Sequence, residues 1–226
     1  MSARGCRTRS PQPAHSCPVT APESDTDPSQ GFPPAAEPGD YRLVMPRQPI
    51  IIVAGPPGAG KTTVAKLLAA RFDKAVYVEA DWFWTTVVRG FVPPWEPEAD
   101  AQNRVILRAV ASAAAALAAG SYAVVLDGVF GPWYLDIVTE QFDSVGATAS
   151  YFILRPARHV ALARATARVG EERVPGHPAL ADEGPILHMW DQFADAGACE
   201  NRVIDNTDLS PEAVAEMIWS AVSAGY

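Results

Sequence analysis

The apolar positions of this chain form short continuous runs that alternate with longer stretches of helical periodicity. The run at residues 50–54 contains only aliphatic side chains, which is typical of a parallel strand covered on both faces. Similar runs predict four more strands, at residues 75–79, 123–126, 149–154 and 202–204. Strands that alternate with helices indicate a doubly wound α/β fold: a five-stranded parallel sheet with helices on both faces and right-handed crossovers.

Two helices have clear signals. The first, residues 98–119, precedes the stop signal Gly120. Its predicted buried stripe is Ile106, Ala109, Val110, Ala113 and Leu117. The last helix is predicted to begin with Ser210 as its N-cap and Pro211 in its first turn. Its predicted buried stripe is Val214, Met217, Ile218 and Ala221.

The first 45 residues differ in composition from the rest of the chain. They are dense in Pro, Ser, Gly and Asp and lack aliphatic periodicity, so they bury too little apolar surface to offset the entropy of ordering. We expect a disordered tail at residues 1–45 and one folded domain at residues 46–226. Met45 directly precedes the first strand. One hypothesis is therefore that translation begins at Met45 and that the tail extends the gene model; the alternative is a regulatory tail.

Charge and cysteine content narrow the expected partners. A net charge of −8 argues against nonspecific binding of nucleic acid or an anionic membrane, because such surfaces need clustered Lys and Arg. A small molecule is therefore the expected partner. Cys6, Cys17 and Cys199 are odd in number and show no CxxC spacing, which favours a reducing cytoplasm. The longest apolar stretch, residues 105–119, is too short and polar to predict a membrane span.

The strongest chemical signal is a glycine-rich loop directly after the first strand. Residues 55–62 read GPPGAGKT and a predicted helix follows, which is the context in which GxxxxGK[ST] binds phosphate. The glycines let successive amides face a phosphate group, and the helix N terminus adds its own amides. Lys61 is predicted to reach the β and γ phosphates and the Thr62 hydroxyl to hold Mg²⁺. The expected nucleotide-binding residues here are Gly55, Gly58, Ala59, Gly60, Lys61, Thr62 and Thr63.

Two carboxylates follow neighbouring predicted strands, at the sheet edge where ligands bind in open α/β folds. Asp127 ends an aliphatic run, as in a Walker B strand, and is predicted to hold Mg²⁺; the alternative is a cap for the turn at Gly128. Asp81 is predicted to accept the proton of an attacking hydroxyl, although it could also, or instead, be the N-cap of a helix that starts at Trp82.

Aromatic residues cluster after the second and third strands. They are Trp82, Phe83, Trp84, Phe91, Trp95, Phe130, Trp133 and Tyr134. Several follow strand ends, where they would form a wall for an apolar or ring-bearing substrate; core packing is the alternative for about half of them. The predicted substrate contacts are Asp81, Trp82, Arg89, Phe130 and Trp133. Arg89 would orient the substrate or the transferred phosphoryl group, or else be a solvated arginine.

Arginines gather after the fourth strand. Arg164 and Arg168 lie four residues apart on a predicted helix, and Arg173 follows in a segment rich in Gly and Pro. Two arginines on one helical face repel each other unless an anion lies between them. They are therefore predicted to form a mobile lid that stabilises charge on the transferred phosphoryl group, with a solvated face as the alternative. His159, His177 and His188 show no metal or triad spacing and are interpreted as structural.

With these residues in view, the domain resembles the P-loop kinases of small molecules in the nucleoside-monophosphate-kinase-like group. It is most similar to the chloramphenicol phosphotransferase family and less so to shikimate kinases, gluconate kinases and zeta toxins. The resemblance implies that Asp81 is the catalytic base, that the DGVF stretch at 127–130 is the segment after the third strand, and that Thr207 lies in the loop beside adenine. The segment 81–95 is richer in tryptophan than that family implies, and the loop 170–185 is longer.

The resulting expectation is an ATP- and Mg²⁺-dependent phosphotransferase that acts on a hydroxyl of an antibiotic-like or sugar-like molecule. Lys61, Asp81, Arg164 and Arg168 are the expected catalytic residues, and Arg164 and Thr207 also the expected nucleotide contacts. Thr62 and Asp127 are the expected metal ligands. Two alternatives stay open: a zeta-toxin-like kinase of a nucleotide sugar, and a regulatory ATPase without an acceptor.

Overall fold

The computed structural model describes residues 48–168, 172–174, 177–178 and 180–224. The predicted tail at residues 1–45 lies outside this range, as do parts of the predicted lid segment around residues 169–179. No helix in the described ranges is long and apolar enough to cross a membrane.

Strands and helices alternate along the described chain, as the hydrophobic pattern predicts. The strands are β1 (Ile50–Ala54), β2 (Ala75–Glu79), β3 (Ala123–Gly128), β4 (Ala149–Leu154), β5 (Glu172–Val174), β6 (His177–Pro178) and β7 (Val203–Ile204). The α-helices are α1 (Lys61–Ala69), α2 (Asp81–Thr85), α3 (Asp100–Ala119), α4 (Leu135–Ser144), α5 (Arg158–Thr166), α6 (Glu183–Gln192) and α7 (Pro211–Ser223). Short 3-10 helices span Pro97–Ala99, Pro132–Tyr134 and Gly197–Arg202.

The main sheet has five parallel strands in the order β2-β3-β1-β4-β7, which confirms the predicted doubly wound α/β fold. Because all five run in the same direction, the segments that follow β1, β2 and β3 meet at one edge of the sheet. Strands β5 and β6, in the segment predicted as the lid, form a separate antiparallel pair that the hydrophobic pattern did not predict.

The central strand β1 is buried along its whole length and separates two hydrophobic layers. Ile50 and Ile52 face one core, which also contains buried residues of α3 and α4. Ile51 and Val53 face the other, with buried residues of α1 and α7. Alternate residues of a strand point to opposite faces, so a continuous aliphatic run is what helices on both sides of the sheet require.

The predicted stripes of the two amphipathic helices are partly wrong. In α3, Ala109 is exposed and Ala113 is only half-buried. The buried residues of α3 are Asn103, Ile106, Leu107, Val110, Ala111, Ala114 and Ala115. Alanines occur on every face of α3, so the hydrophobicity of the sequence differs little from one face of this helix to another. In α7, Met217 and Ala221 are exposed, and the buried residues are Val214, Ala215, Ile218 and Val222.

The predicted start of α7 is confirmed. The side-chain oxygen of Ser210 accepts a hydrogen bond of 3.2 Å from the backbone N–H of Ala213, and Pro211 is the first helical residue. A side-chain oxygen at the N-cap satisfies one of the four N–H groups that a helix leaves unpaired at its start.

Candidate active site

The glycine-rich loop connects β1 to α1 and is closely packed against the neighbouring strand and helix. Gly58 has a φ of +78°, and a Cβ atom there would lie 2.0 Å from the backbone oxygen of Ala161 in α5. Gly55 has a φ of +144°, and its Cβ would lie 2.2 Å from the backbone oxygen of Leu154. Only glycine satisfies both conditions, so this conformation of the loop requires glycine at positions 55 and 58.

Lys61 is the first residue of α1 and is mostly buried. Its Nζ donates a hydrogen bond of 3.0 Å to the backbone oxygen of Pro56, across the loop. Gly58, Gly60, Lys61, Thr62 and Thr63 line a large cavity. Ala59, which the sequence grouped with them, is fully buried.

Asp127, near the end of β3, is buried beside the loop. The hydroxyl of Tyr77 donates to its Oδ1 at 3.2 Å, and its Oδ2 has no hydrogen-bond partner among the described residues. Burial raises the pKa of Asp127 to about 6, and the negative charges of Asp81 and Glu79 add to the rise, whereas Lys61 and a hydrogen bond from Thr62 oppose it. The carboxylate thus contacts Thr62, as a shared metal site would require.

The donor set around Asp127 fits Mg²⁺. A hydroxyl and a carboxylate oxygen are hard ligands, and Mg²⁺ in nucleotide sites takes its remaining ligands from phosphate and water. The described residues hold no group of three or more His, Cys, Asp or Glu side chains that could bind a metal by itself. Thr62 and Asp127 are thus the residues that could hold Mg²⁺ together with phosphate oxygens and water.

Asp81 is the first residue of α2, and its side chain is exposed. The N-cap position is Ala80 and no side chain caps this helix, so the interpretation of Asp81 as an N-cap is wrong. Asp81 lines the same cavity as Lys61. Its carboxylate is therefore available to a ligand that also reaches the phosphate loop.

The cavity has a volume of about 1240 Å³. It is lined by the glycine loop and α1, by α2 and the segment that leads to α3, and by α5 and α6. Pockets for drug-sized ligands have volumes of about 300–1,000 Å³, so this cavity has room for a nucleotide together with a second small molecule.

The predicted substrate wall is partly present. Trp82 and Trp133 line the cavity with 53% and 41% of their surface exposed. The prediction of Phe130 as a substrate contact is wrong. Its side chain is fully buried in the hydrophobic core, because it faces the interior of the turn after β3. Arg89 is exposed and lies beside Gly90, and it is not among the cavity-lining residues. His188, interpreted as structural, in fact lines the cavity.

Two polar residues at the start of α3 hold the aromatic segment in place, and sequence reasoning missed them. The side-chain amide of Gln102 bonds both the N–H and the carbonyl of Val92, at 2.9 and 2.7 Å. Asn103 accepts from the indole N–H of Trp84 at 2.9 Å and donates to the Pro94 carbonyl at 2.8 Å. The sequence signal that could have identified these two residues is an adjacent Gln and Asn directly before a long alanine-rich stretch.

Arg164 in α5 and Arg168 in the turn after α5 both line the large cavity, but their other contacts differ. Arg164 donates to the backbone oxygens of Thr207, at 3.0 Å, and of Asn206, at 3.4 Å. It also lines a second, smaller cavity of about 260 Å³ together with Thr63 and Leu209. Arg168 lines the large cavity one turn further along the chain.

The loop after β7 is tied to the glycine loop by a residue that sequence reasoning missed. Asn206 is 4% exposed, and its side-chain amide donates to the backbone oxygen of Ala59 at 2.8 Å. The neighbouring Thr207 accepts at its hydroxyl from the backbone N–H of Ala157, at 2.8 Å. The small cavity lies between the start of α1 and the loop after β7.

Comparisons with known proteins agree with this architecture. Residues 50–196 match the model of a family described as an AAA domain. No match was found among curated proteins.

Solved structures with this fold include several enzymes. The tunicamycin resistance protein of Deinococcus radiodurans has a TM-score of 0.56 and 20% identity, covering 78% of this chain and 96% of that one. A sugar kinase from Janibacter sp. has a TM-score of 0.56 and 22% identity, covering 78% and 95%. A shikimate kinase from Acinetobacter baumannii, in complex with shikimate, has a TM-score of 0.53 and 21% identity, covering 79% and 94%. These likenesses establish the fold, and because the family match spans well over half of the sequence, the chain belongs to the AAA domain family of P-loop proteins.

Proposed function

We propose that this protein is a phosphotransferase that uses ATP and Mg²⁺ to transfer the γ-phosphoryl group to a hydroxyl of a small molecule. The observation that carries the proposal is that one cavity is lined both by the phosphate loop with Lys61 and by the exposed carboxylate of Asp81. A nucleotide-dependent switch needs the phosphate loop alone. A kinase also needs a base beside the acceptor.

The glycine loop would bind the triphosphate through its backbone amides. Lys61 would leave the Pro56 carbonyl and reach the β and γ phosphates, since its ammonium group gains more from phosphate charge than from a neutral carbonyl. Thr62 and Asp127 would hold Mg²⁺, which when bound neutralises part of the phosphate charge.

On the acceptor side, Asp81 would take the proton of the hydroxyl as its oxygen attacks the γ phosphorus. The new P–O bond forms as the bond from the γ phosphorus to the bridging oxygen breaks, and ADP leaves. Arg168 lines the cavity where the transferred group passes and would neutralise its charge. Arg164, held against the loop after β7, would support the nucleotide instead.

The names of the structural neighbours are compatible with this reading. They include a sugar kinase, a shikimate kinase and a tunicamycin resistance protein, and each name points to a small molecule.

The test is a comparison of Asp81→Asn with the wild type, using hydroxylated antibiotics, sugars and nucleosides as acceptors. Asp81→Asn should keep Mg²⁺-dependent ATP binding within about twofold and lose about 10²- to 10⁴-fold in transfer rate. Asp143→Asn, on the exposed side of α4, is the matched control and should keep full transfer. Equal nucleotide turnover in Asp81→Asn and the wild type would identify a regulatory ATPase. Absence of Mg²⁺-dependent affinity for ATP would refute the proposal altogether.

A further inference from the structure

We infer that the acceptor of this phosphotransferase is a ring-bearing alcohol that carries an ammonium group. The inference rests on the proposed function, and it concerns the end of the large cavity that lies away from the phosphate loop. We define this acceptor end by α2, the segment at residues 91–97, and the start of α3.

The sheet order separates the two ends of the cavity. β2 and β3 lie on one side of β1, and β4 and β7 lie on the other. Asp81 follows β2, whereas Arg164 belongs to α5 after β4 and contacts the loop after β7. The nucleotide side is therefore on the β4 side of the sheet, and the acceptor end is on the β2 side.

Charge differs between the two ends. Among the described residues that line the cavity, the carboxylates at the acceptor end are Asp81, Glu96 and Asp100, and Glu79, the last residue of β2, precedes them. The Lys and Arg side chains in the described lining are Lys61, Arg164 and Arg168. All three come from α1 or from the α5 region, on the nucleotide side. No arginine or lysine in the described lining lies at the acceptor end; Arg104, near the start of α3, pairs with Asp100 and is not among the lining residues.

The acidic residues at this end are not all neutralised by neighbours. Asp100 forms an ion pair of 2.9 Å with Arg104 and accepts from the hydroxyl of Tyr134 at 3.1 Å. Glu96 is exposed, and its carboxylate forms no ion pair or hydrogen bond with another residue in the described ranges. Glu96 is therefore free to bind a cation.

Aromatic rings in the same place provide an independent indication of a cationic ligand. Trp82, Phe91 and Trp133 keep 53%, 45% and 41% of their surface exposed while they line the cavity, and Trp95 lies beside them. The faces of tryptophan and phenylalanine attract ammonium groups, and tryptophan does so most strongly. A solvated acidic surface does not require exposed tryptophans, whereas an ammonium site uses rings and carboxylates together.

The experiment uses three para-substituted benzyl alcohols that share one ring and one reactive hydroxyl. The probes are para-(aminomethyl)benzyl alcohol, para-methylbenzyl alcohol and para-(hydroxymethyl)benzoate. Binding is followed by the tryptophan fluorescence of the full chain, with and without Mg²⁺ and ADP, and transfer from ATP is measured in parallel.

The amine should bind at least about tenfold more tightly than the carboxylate, with the neutral probe between them, and the gap should narrow as salt is added. Glu96→Gln should reduce the preference for the amine over the neutral probe several-fold. Glu98→Gln is the matched control, because Glu98 lies two residues away but is not among the cavity-lining residues, and it should leave the preference unchanged.

Three results would overturn the inference: equal or tighter binding of the carboxylate, equal binding of the amine and the neutral probe, or no binding of any probe to a chain that binds Mg²⁺ and ADP. Failure of the proposed function has a different signature. In that case the amine binds preferentially, but no phosphoryl group is transferred or no nucleotide is bound.

Discussion

Replacing the buried carboxylate of Asp127 should stabilise the free protein and abolish its use of nucleotide. Burial raises the pKa of Asp127 from its ordinary value of 3.8 to about 6. In the window between these values the folded chain keeps a proton that the unfolded chain has lost. As the pH rises through this window, ionisation of this one group therefore lowers the free energy of unfolding by about 3 kcal/mol in total.

Asp127→Asn removes this cost, because an amide does not ionise. Part of the gain is lost, since the new NH₂ group must find an acceptor where Oδ2 has no partner, and an unsatisfied donor costs about 1–3 kcal/mol. The net gain of about 0–2 kcal/mol at pH 7 corresponds to a rise of up to about 8 °C in Tm for a domain of this size.

The assay is thermal unfolding of both proteins between pH 4 and pH 8, without nucleotide. The difference in Tm should be smallest near pH 4, where Asp127 is protonated in the folded wild type, and largest above pH 6. Asp143→Asn, an exposed substitution, should follow the wild-type profile throughout. Parallel pH profiles for Asp127→Asn and the wild type would refute the reasoning. Added Mg²⁺ and ATP should then raise the Tm of the wild type but not that of Asp127→Asn.

Two further substitutions test the loop and the aromatic segment. Gly58→Ala should lower the free energy of unfolding by several kcal/mol and abolish nucleotide binding, because it adds backbone strain and a clash. Gly90→Ala, at a φ of +75° with open space around it, should cost only about 1 kcal/mol. Unfolding curves and ATP titration compare the two variants. Asn103→Ala should lower the free energy of unfolding by about 1–3 kcal/mol, because it leaves the indole N–H of Trp84 unpaired. Arg108→Ala, on the exposed side of the same helix, should be nearly neutral in denaturant unfolding.

The strands were predictable because their signal is local. β1, β2 and β4 begin and end at the predicted residues, since each is a bounded run of residues with strand preference. β3 extends two residues beyond the prediction. Asp127 and Gly128 pair with Val53 and Ala54 of β1, and backbone pairing in a parallel ladder does not require an apolar side chain.

The glycine loop and Asp81 could be located from sequence because they come directly after β1 and β2, whose ends are marked by bounded runs, and Asp127 because it ends the aliphatic run of β3. The residues that hold the site together were not. Asn206 contacts Ala59 across 147 residues of chain, and no local pattern reports such a contact. Phe130 and Trp133 are near neighbours in the chain, yet one is core and the other lines the cavity. The direction of the turn after β3 determines which of the two side chains is buried in the core and which lines the cavity.

The contacts of Asn206 also connect the two parts that must act together in a phosphotransferase. Its side chain holds the carbonyl of Ala59 in the glycine loop, while its backbone oxygen and that of Thr207 accept from Arg164 of α5. Gly58 of the same loop approaches α5 closely enough that no side chain fits between them. A phosphate that displaces the glycine loop must therefore also shift α5, which carries Arg164. We therefore expect a nucleotide bound at the glycine loop to change the position of α5 as well, through the contacts of Asn206 and Gly58.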